Sequence, residues 1–362
     1  MKAEINPWES GSEFQWLQLR KRSGKSAYQP EMRLYSCGRT ALAGLIKYGM
    51  DFLGWRRLWI PCYYCPEVVA SIRATGIKTN FYHDSPADAV EVPTDVSADD
   101  AILIVNYFGR KSRSDYAGVY ALGIAVIEDH SHDPWSRWAI QSTAGHLVAS
   151  YRKTLPVPDG GVLWSNVGAP LPPQPKANKK AGSGVPEKIE AMLMKAMYLD
   201  GIIADKEGYL DLFNQAKQKL AEQTTPKDGG GEAISEISQA ILNSFPWHSW
   251  RERRRTNYRH LRQQIPEWSD VEILEAQSRE SYPFMLTLLF SARNKRDIVR
   301  KHLIENSVYP AVIWPLDEIN EPWADEWART LSGRILSIHC DGRYSLADMD
   351  KIAAILIRCL AS

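Results

Sequence analysis

Three short segments hold residue types that could act together. The first is Ser36-Cys37-Gly38-Arg39-Thr40, which precedes the apolar-periodic run ALAGLIKYGMDFLG. Small and polar residues ahead of such a run mark a helix start, whose free N–H groups and dipole suit a phosphate. A plain N-cap is the other reading. The second is Val126-Ile127-Glu128-Asp129-His130-Ser131-His132-Asp133, an apolar run ending in acids. A carboxylate at a strand end can pair with a positive ring nitrogen, keeping the ring protonated and able to accept electrons. A capping cluster is the alternative, as is a metal site built on His130, His132 and Asp133. The third is Ser150-Tyr151-Arg152-Lys153, followed after Thr154 by LPVPDGG and VLWS. A lysine in a cleft loses its proton more easily and becomes a nucleophile toward aldehydes. On an open face it is one of many solvated lysines. Gly160-Gly161 signals close backbone approach or a tight turn.

These segments need a frame. Leu58–Pro61, Ile77–Tyr82, Asp100–Tyr107 and Gly123–Glu128 read as strands, and Pro66–Thr75 reads as a helix stopped by Gly76. Continuous apolar strands alternating with helices imply an α/β fold with a mostly parallel sheet covered on both faces. The three segments then lie at carboxyl ends of strands, where open α/β sheets bind ligands. Residues 1–35 read as an N-terminal arm, 36–244 as a large domain and 245–362 as a smaller α+β domain. Inside the large domain, 168–184 (GAPLPPQPKANKKAGSG) and 224–231 (TTPKDGGG) are loops on either side of a helical stretch, 185–222. Breaks of that length are functional lids or mobile connections. In the last unit RERRRTNYRHLRQQI reads as a helix and YPFMLTLLF as a strand. A helix over 295–306, a strand VYPAVIW, a strand 334–339 and a helix 346–360 complete it.

Composition narrows the classes. A chain of 362 residues exceeds what one core usually serves. A net charge of +1 gives no strong field for nucleic acid or anionic membrane. No apolar run reaches the length of a transmembrane helix, and the first residues lack the apolar region of a secretory signal. Five cysteines read as reduced thiols of a cytoplasmic protein. The single Cys62-Tyr63-Tyr64-Cys65 motif is a weak signal for zinc or for redox exchange. Arg251–Arg255 (RERRR) reads as a solvated helix face, with phosphate or carboxylate binding as the alternative. Asp228–Glu232 lacks the downstream Lys-Ser/Thr of a P-loop.

The order of parts resembles one family, the DegT–StrS sugar aminotransferases, which are pyridoxal-phosphate (PLP) enzymes. SCGRTALAGL resembles its phosphate turn. WIPCYYCPEVVASIRATGIKTNFYHD, AILIVNYFG and VIEDHSHD resemble its successive strand segments. ASYRKTLPVPDGGVLWS resembles its lysine segment, and PAVIWPL and SGRILSIHCDGRYSLADMDKIAAIL resemble two late signatures. The likeness covers roughly residues 33–165 and 245–360. It implies the type I PLP-transferase fold, a homodimer, and an aminotransferase moving an amine from a small donor to an oxo acceptor, a sugar being one candidate. It implies Lys153 as the Schiff-base lysine, Asp129 on the pyridinium nitrogen and His132 near the ring hydroxyl. Gly38, Arg39, Thr40 and Ser150 would hold the phosphate, and Tyr63 or Tyr64 would stack on the ring. The chain departs from the family between the lysine strand and residue 245. The sugar-nucleotide segment is missing there, which leaves open other PLP chemistry (decarboxylation, elimination, racemisation) or a cofactor-free binding protein. The two loops, 168–184 and 224–231, are the candidates for reaching toward a partner's cofactor.

Overall fold

The computed structural model describes residues 7–17, 26–27, 29, 31–176, 184–222, 231–276, 281–319 and 321–361. Most of the two expected loops, at 177–183 and 223–230, lies outside the described residues. Twelve strands and twelve α-helices are present among the described residues.

Seven strands form the main sheet: β2 (Arg33–Tyr35), β3 (Arg57–Pro61), β4 (Lys78–Tyr82), β5 (Asp100–Val105), β6 (Ala125–Asp129), β7 (His146–Ser150) and β8 (Gly161–Trp164). Their order is β2-β8-β7-β6-β5-β3-β4. Strands β4, β3, β5, β6 and β7 run parallel; β8 is antiparallel to β7, and β2, antiparallel to β8, forms the edge. The parallel part is apolar on both sides for the reason expected. In β5, Ala101, Leu103 and Val105 pack with Leu42 and Leu45 of α1 (Gly38–Phe52). Ile102 and Ile104 face the opposite layer, against Tyr116, Val119 of α3 (Ala117–Tyr120) and Trp138 of α4 (Arg137–Gln141). Helix α2 (Pro66–Arg73) packs on the α1 side, while α5 (Tyr151–Thr154) is the single turn that follows β7.

The stretch 185–222 is two helices rather than one. Helix α6 (Val185–Leu199) and α7 (Lys206–Glu222) form a hairpin, with Gly201 at φ 71° in the break. Among L-residues that φ is rarely adopted, so glycine ends the first helix. The hairpin packs on Phe14 and Trp16, and Lys195 and Lys206 grip the buried Glu9 at 2.6 and 2.9 Å. The N-terminal stretch is therefore held along the body, and Arg33–Tyr35 within it is an edge strand of the sheet.

Helix α8 (Glu236–Ser244) leads into α9 (Trp247–Gln264), which carries the basic run. A three-stranded antiparallel sheet follows: β9 (Val271–Ile273), β10 (Met285–Phe290) and β12 (Ile335–His339), in the order β12-β10-β9. Helices α10 (Arg293–Glu305), α11 (Glu326–Arg334) and α12 (Leu346–Ala361) surround it. The expected strand VYPAVIW shrinks to β11 (Val308–Tyr309), paired with β1 (Ser10–Gly11). Pro310 has no N–H to continue a ladder. The rest of that segment turns Trp314 into the main core, beside Tyr63, Tyr64 and Tyr107.

Candidate active site

Asp129 is the last residue of β6, between Val105 of β5 and Val148 of β7. It is buried. Its Oδ1 accepts from the Ser131 N–H at 2.8 Å, and its Oδ2 accepts from the Tyr64 hydroxyl at 2.6 Å. Burial, reinforced by the Asp129 charge, pushes the Tyr64 phenol well above its ordinary pKa, so it stays a donor.

His132 follows on the same strand-end turn. The backbone after β5 places Phe108 at φ 54°, and its N–H donates to His132 Nδ1 at 3.1 Å. Phe284 stacks on the imidazole at 4.8 Å, and Trp314 lies 5.8 Å away. Burial, then the charges of Lys153 and Arg254, hold the ring's pKa well below its usual value. The Phe108 N–H approaches Nδ1 and the Asn106 carbonyl is a second backbone partner of the ring, while the outer nitrogen is Nε2. That Nε2 is buried and has no hydrogen-bond partner.

Lys153 sits on α5, one turn beyond β7, half-buried. Its Nζ lies 5.4 Å from the Trp314 ring centroid and near enough to His132 and Cys65 to bias both titrations. Trp314 is the residue that sequence reasoning missed. It touches Lys153, His132, Tyr63 and Tyr64 at once. The only sequence signal was an aromatic before Pro315 in a run that read as a strand.

The expected phosphate end is compact. A Cβ added to Gly38 would lie 3.1 Å from the Ser150 Cβ, so the start of α1 and the end of β7 are in contact. A Cβ on Gly161 would come within 2.2 Å of the Cys37 carbonyl carbon, the close approach that the Gly-Gly pair signalled. Thr40 is turned inward. Its hydroxyl donates to the Cys37 carbonyl at 2.8 Å and receives the Cys37 N–H at 3.2 Å, so it closes the cap. Arg39 Nε is buried without a partner. Ser150 donates its N–H to Ser131 Oγ at 3.1 Å. Tyr63 is fully buried, its hydroxyl on the Ile313 carbonyl and its ring against Tyr107 and Trp314.

The structure sorts the remaining candidates. His130 Nε2 pairs with Glu128 at 2.7 Å, whereas Asp133 receives Arg251 at 2.7 Å and Arg254 at 3.1 Å. With His132 on Phe108, the three point to different partners. Among the described residues no cluster of three or more His, Cys, Asp or Glu could hold a metal. Arg251 and Arg254 thus leave the expected solvated face and tie α9 to the β6 turn, while Arg255 pairs with Glu252. Cys62 and Cys65 are buried, and burial pushes their thiols up to about 12 and about 11.

No protein-family model matches the chain, and no curated protein sequence does. Solved structures do. Helicobacter pylori PseC, an aminotransferase involved in the biosynthesis of pseudoaminic acid, is similar with a TM-score of 0.64 at 12% identity, over 97% of this chain and 99% of that one. The chain has the fold of the sugar aminotransferases. The sugar aminotransferase CalS13 from Micromonospora echinospora is similar at a TM-score of 0.56 and 14% identity, over 90% and 87% of the two chains. Spr1654 from Streptococcus pneumoniae, solved in a PLP form, gives 0.57 at 13% identity over 94% and 93%. At these identities the likeness is one of fold, the α/β type I PLP-transferase architecture. No described helix is long and apolar enough to cross a membrane.

The side chains fit PLP at three points. His132 Nε2 is buried and without a partner, a position that a ring oxygen could meet. Lys153 Nζ faces the same space near Trp314. The start of α1 meets the end of β7 at Gly38 and Ser150, close enough to cradle one phosphate. At the fourth point, Asp129, the Tyr64 hydroxyl already donates to the carboxylate.

Proposed function

We propose that the chain is a PLP-dependent aminotransferase acting on a small oxo compound, with a sugar as one candidate acceptor. The observation that carries this is the convergence of Lys153, Asp129 and His132 at the carboxyl edge of β6 and β7, with His132 Nε2 buried and without a partner. When bound, PLP supplies an electron sink for charge developing on the donor's α-carbon. Lys153 is the residue that holds the cofactor and, once released, moves the proton at that carbon. Asp129 keeps the ring nitrogen protonated, and His132 Nε2 donates to the ring oxygen. The Gly38 and Arg39 N–H groups, with Ser150, hold the phosphate, while Thr40 keeps the α1 start in shape. Trp314, beside Lys153, is the aromatic that shields the ring from water; Tyr64 steadies Asp129, and Tyr63 backs Trp314.

The test is direct. Purified chain incubated with PLP should absorb near the visible edge. Borohydride reduction should then place a mass adduct on Lys153, and Lys153→Ala should show neither. A wild-type chain that stays colourless and unmodified would refute the proposal. An amino-acid panel then separates reactions. Conversion to the amine form of the cofactor supports transfer, while product without that conversion supports decarboxylation, elimination or racemisation. One observation favours a cofactor-free binding protein instead: Tyr64 already occupies Asp129, and Trp314 already covers Lys153. We also place the enzyme in the cytoplasm as a homodimer, which light scattering at micromolar concentration checks.

A further inference from the structure

A cavity of about 150 Å³ lies between the start of α1, α5 with its following turn, and the α6–α7 hairpin. Arg39, Arg152, Lys188 and Lys217 line it, together with the carboxylates of Glu13, Glu67 and Asp159. Several of these charges are already spent. Lys188 is taken by Glu13, Asp159 accepts the Ser235 hydroxyl at 2.6 Å, and the Arg152 charge also acts on both Glu13 and Asp159. Each of the two arginines keeps one unanswered donor. The Nε atoms of Arg39 and Arg152 are shut off from solvent and have no partner. Buried guanidinium N–H groups without acceptors are costly, and native proteins rarely keep two of them beside one cavity unless something fills it. Lys217 adds a third cation from α7. Burial raises the Glu67 pKa, yet the Cys65 thiol and the charges of Arg39, Lys217 and Arg152 together hold it below the usual range.

The ligand chemistry follows from the donors. One carboxylate is satisfied by a single arginine fork, whereas phosphate offers three oxygens that two forks and an ammonium can share. Of the residues assigned to the cofactor, Arg39 alone lines the cavity; Gly38, Ser150 and Lys153 do not. Arg152, its neighbour on α5, points into the cavity, whereas Lys153 faces Trp314. We propose that this cavity is a second phosphate site, in which Arg39, Arg152 and Lys217 hold the phosphate of a phosphorylated substrate. The reacting carbonyl or amine of that substrate rests on the aminotransferase reading; the phosphate site itself does not.

The test is calorimetric titration of inorganic phosphate and pyrophosphate into the chain, with and without PLP. Wild type is compared with Arg152→Gln, Lys217→Gln and the exposed control Lys78→Gln, each first shown to melt like wild type. Phosphate should bind the PLP-loaded chain. Its affinity should fall roughly tenfold or more in Arg152→Gln and Lys217→Gln, the scale of one charge-assisted hydrogen bond. Cofactor absorbance and the Lys78→Gln affinity should not change. Two results overturn the proposal. One is absence of phosphate binding to either form. The other is phosphate displaced by PLP, with Arg152→Gln weakening PLP but not pyridoxal, which would make the cavity the cofactor's own. If the chain takes up no PLP at all, the PLP-free titration still decides. Binding lost in Arg152→Gln then upholds the phosphate site while the aminotransferase reading falls.

Discussion

Tyr64→Phe tests whether Asp129 faces the cofactor. The substitution removes one hydroxyl and leaves Asp129 Oδ2 in a buried site without the donor that now stands 2.6 Å away. A buried acceptor stripped of its partner costs about 1–3 kcal/mol. For a chain of this size a kcal/mol moves the melting temperature by about 2 °C, so the PLP-free variant should melt roughly 2–6 °C below wild type. The Tyr64 phenol is held well above its ordinary pKa by burial and by Asp129, so the same hydrogen bond exists across the neutral range and buffer choice does not confuse the comparison. If Asp129 faces the cofactor as proposed, a pyridinium N–H would donate to the same carboxylate in the PLP-loaded chain. The deficit should therefore shrink by half or more. Paired thermal melts of wild type and variant, with and without saturating PLP, give the four numbers needed. An equal deficit in both states would mean that Tyr64 and the cofactor do not share Asp129. No deficit in the PLP-free state would mean that the hydrogen bond carries no stability.

Other perturbations follow from the same geometry. Asp129→Asn keeps the shape and one acceptor oxygen but loses the charge and the second acceptor, so turnover should fall by roughly a hundredfold or more with some PLP retained; near-wild-type turnover would show that the carboxylate is misassigned. Asp84 is fully buried, and burial pushes its carboxyl up to about 7 against the opposing pull of Lys111 and the Tyr116 hydroxyl. The folded pKa lies above the ordinary 3.8. The native state thus binds the proton more tightly, so this contribution is full only below the ordinary 3.8 and is lost as pH rises from there toward about 7. Asp84→Asn should remove that slope and stabilise the chain at pH 8 by an amount on the order of 4 kcal/mol at most. A gain as large at pH 4 would contradict the titration argument. Asp133→Ala leaves the buried Arg254 without its counter-charge and should cost about 3–5 kcal/mol in urea unfolding, where a loss under about 1 kcal/mol would show that the Asp133 pairs are not what ties α9 down.

The parallel sheet was legible because its strands are apolar on both faces. The periodic signal in DAILIV needs nothing from elsewhere in the chain to be read as a buried strand. The antiparallel edge was less so. Arg33–Tyr35 is three residues long and pairs with β8, about 130 residues later, a contact that local pattern does not carry. The helical stretch 185–222 looked continuous because charged and apolar residues keep a helical period through it. Gly201 breaks it through a backbone angle, and a single interior glycine is also tolerated in helices, so the residue type alone did not decide. VYPAVIW looked like a strand by composition, yet Pro310 ends the ladder and the aromatic end of the run is claimed by the large core.

The site divides along the same line. The end of β6 was readable, because the apolar run of that strand fixes where Asp129 emerges; β7 (His146–Ser150) was not read as a strand, and the roles expected of His132 and Lys153 came from the family resemblance. Residues that reach the site across the fold were not readable. Trp314 comes from a segment some 160 residues after Lys153, and its place over Lys153 depends on how the three-stranded sheet packs against α1 and α2. Arg152 carried no reading of its own in the Ser150–Lys153 segment, and it is the cavity beneath the α6–α7 hairpin that its side chain lines, with its Nε a buried, unanswered donor. Arg251 and Arg254 looked solvated because RERRR has no apolar partner in sequence. Their counter-charge, Asp133, stands at a strand end more than a hundred residues earlier. The chain thus places the proposed reacting groups near the ends of β6 and β7 and surrounds them by long-range packing. A substitution at Trp314 or in the α6–α7 hairpin should consequently alter what the site accepts more than whether Lys153, Asp129 and His132 assemble.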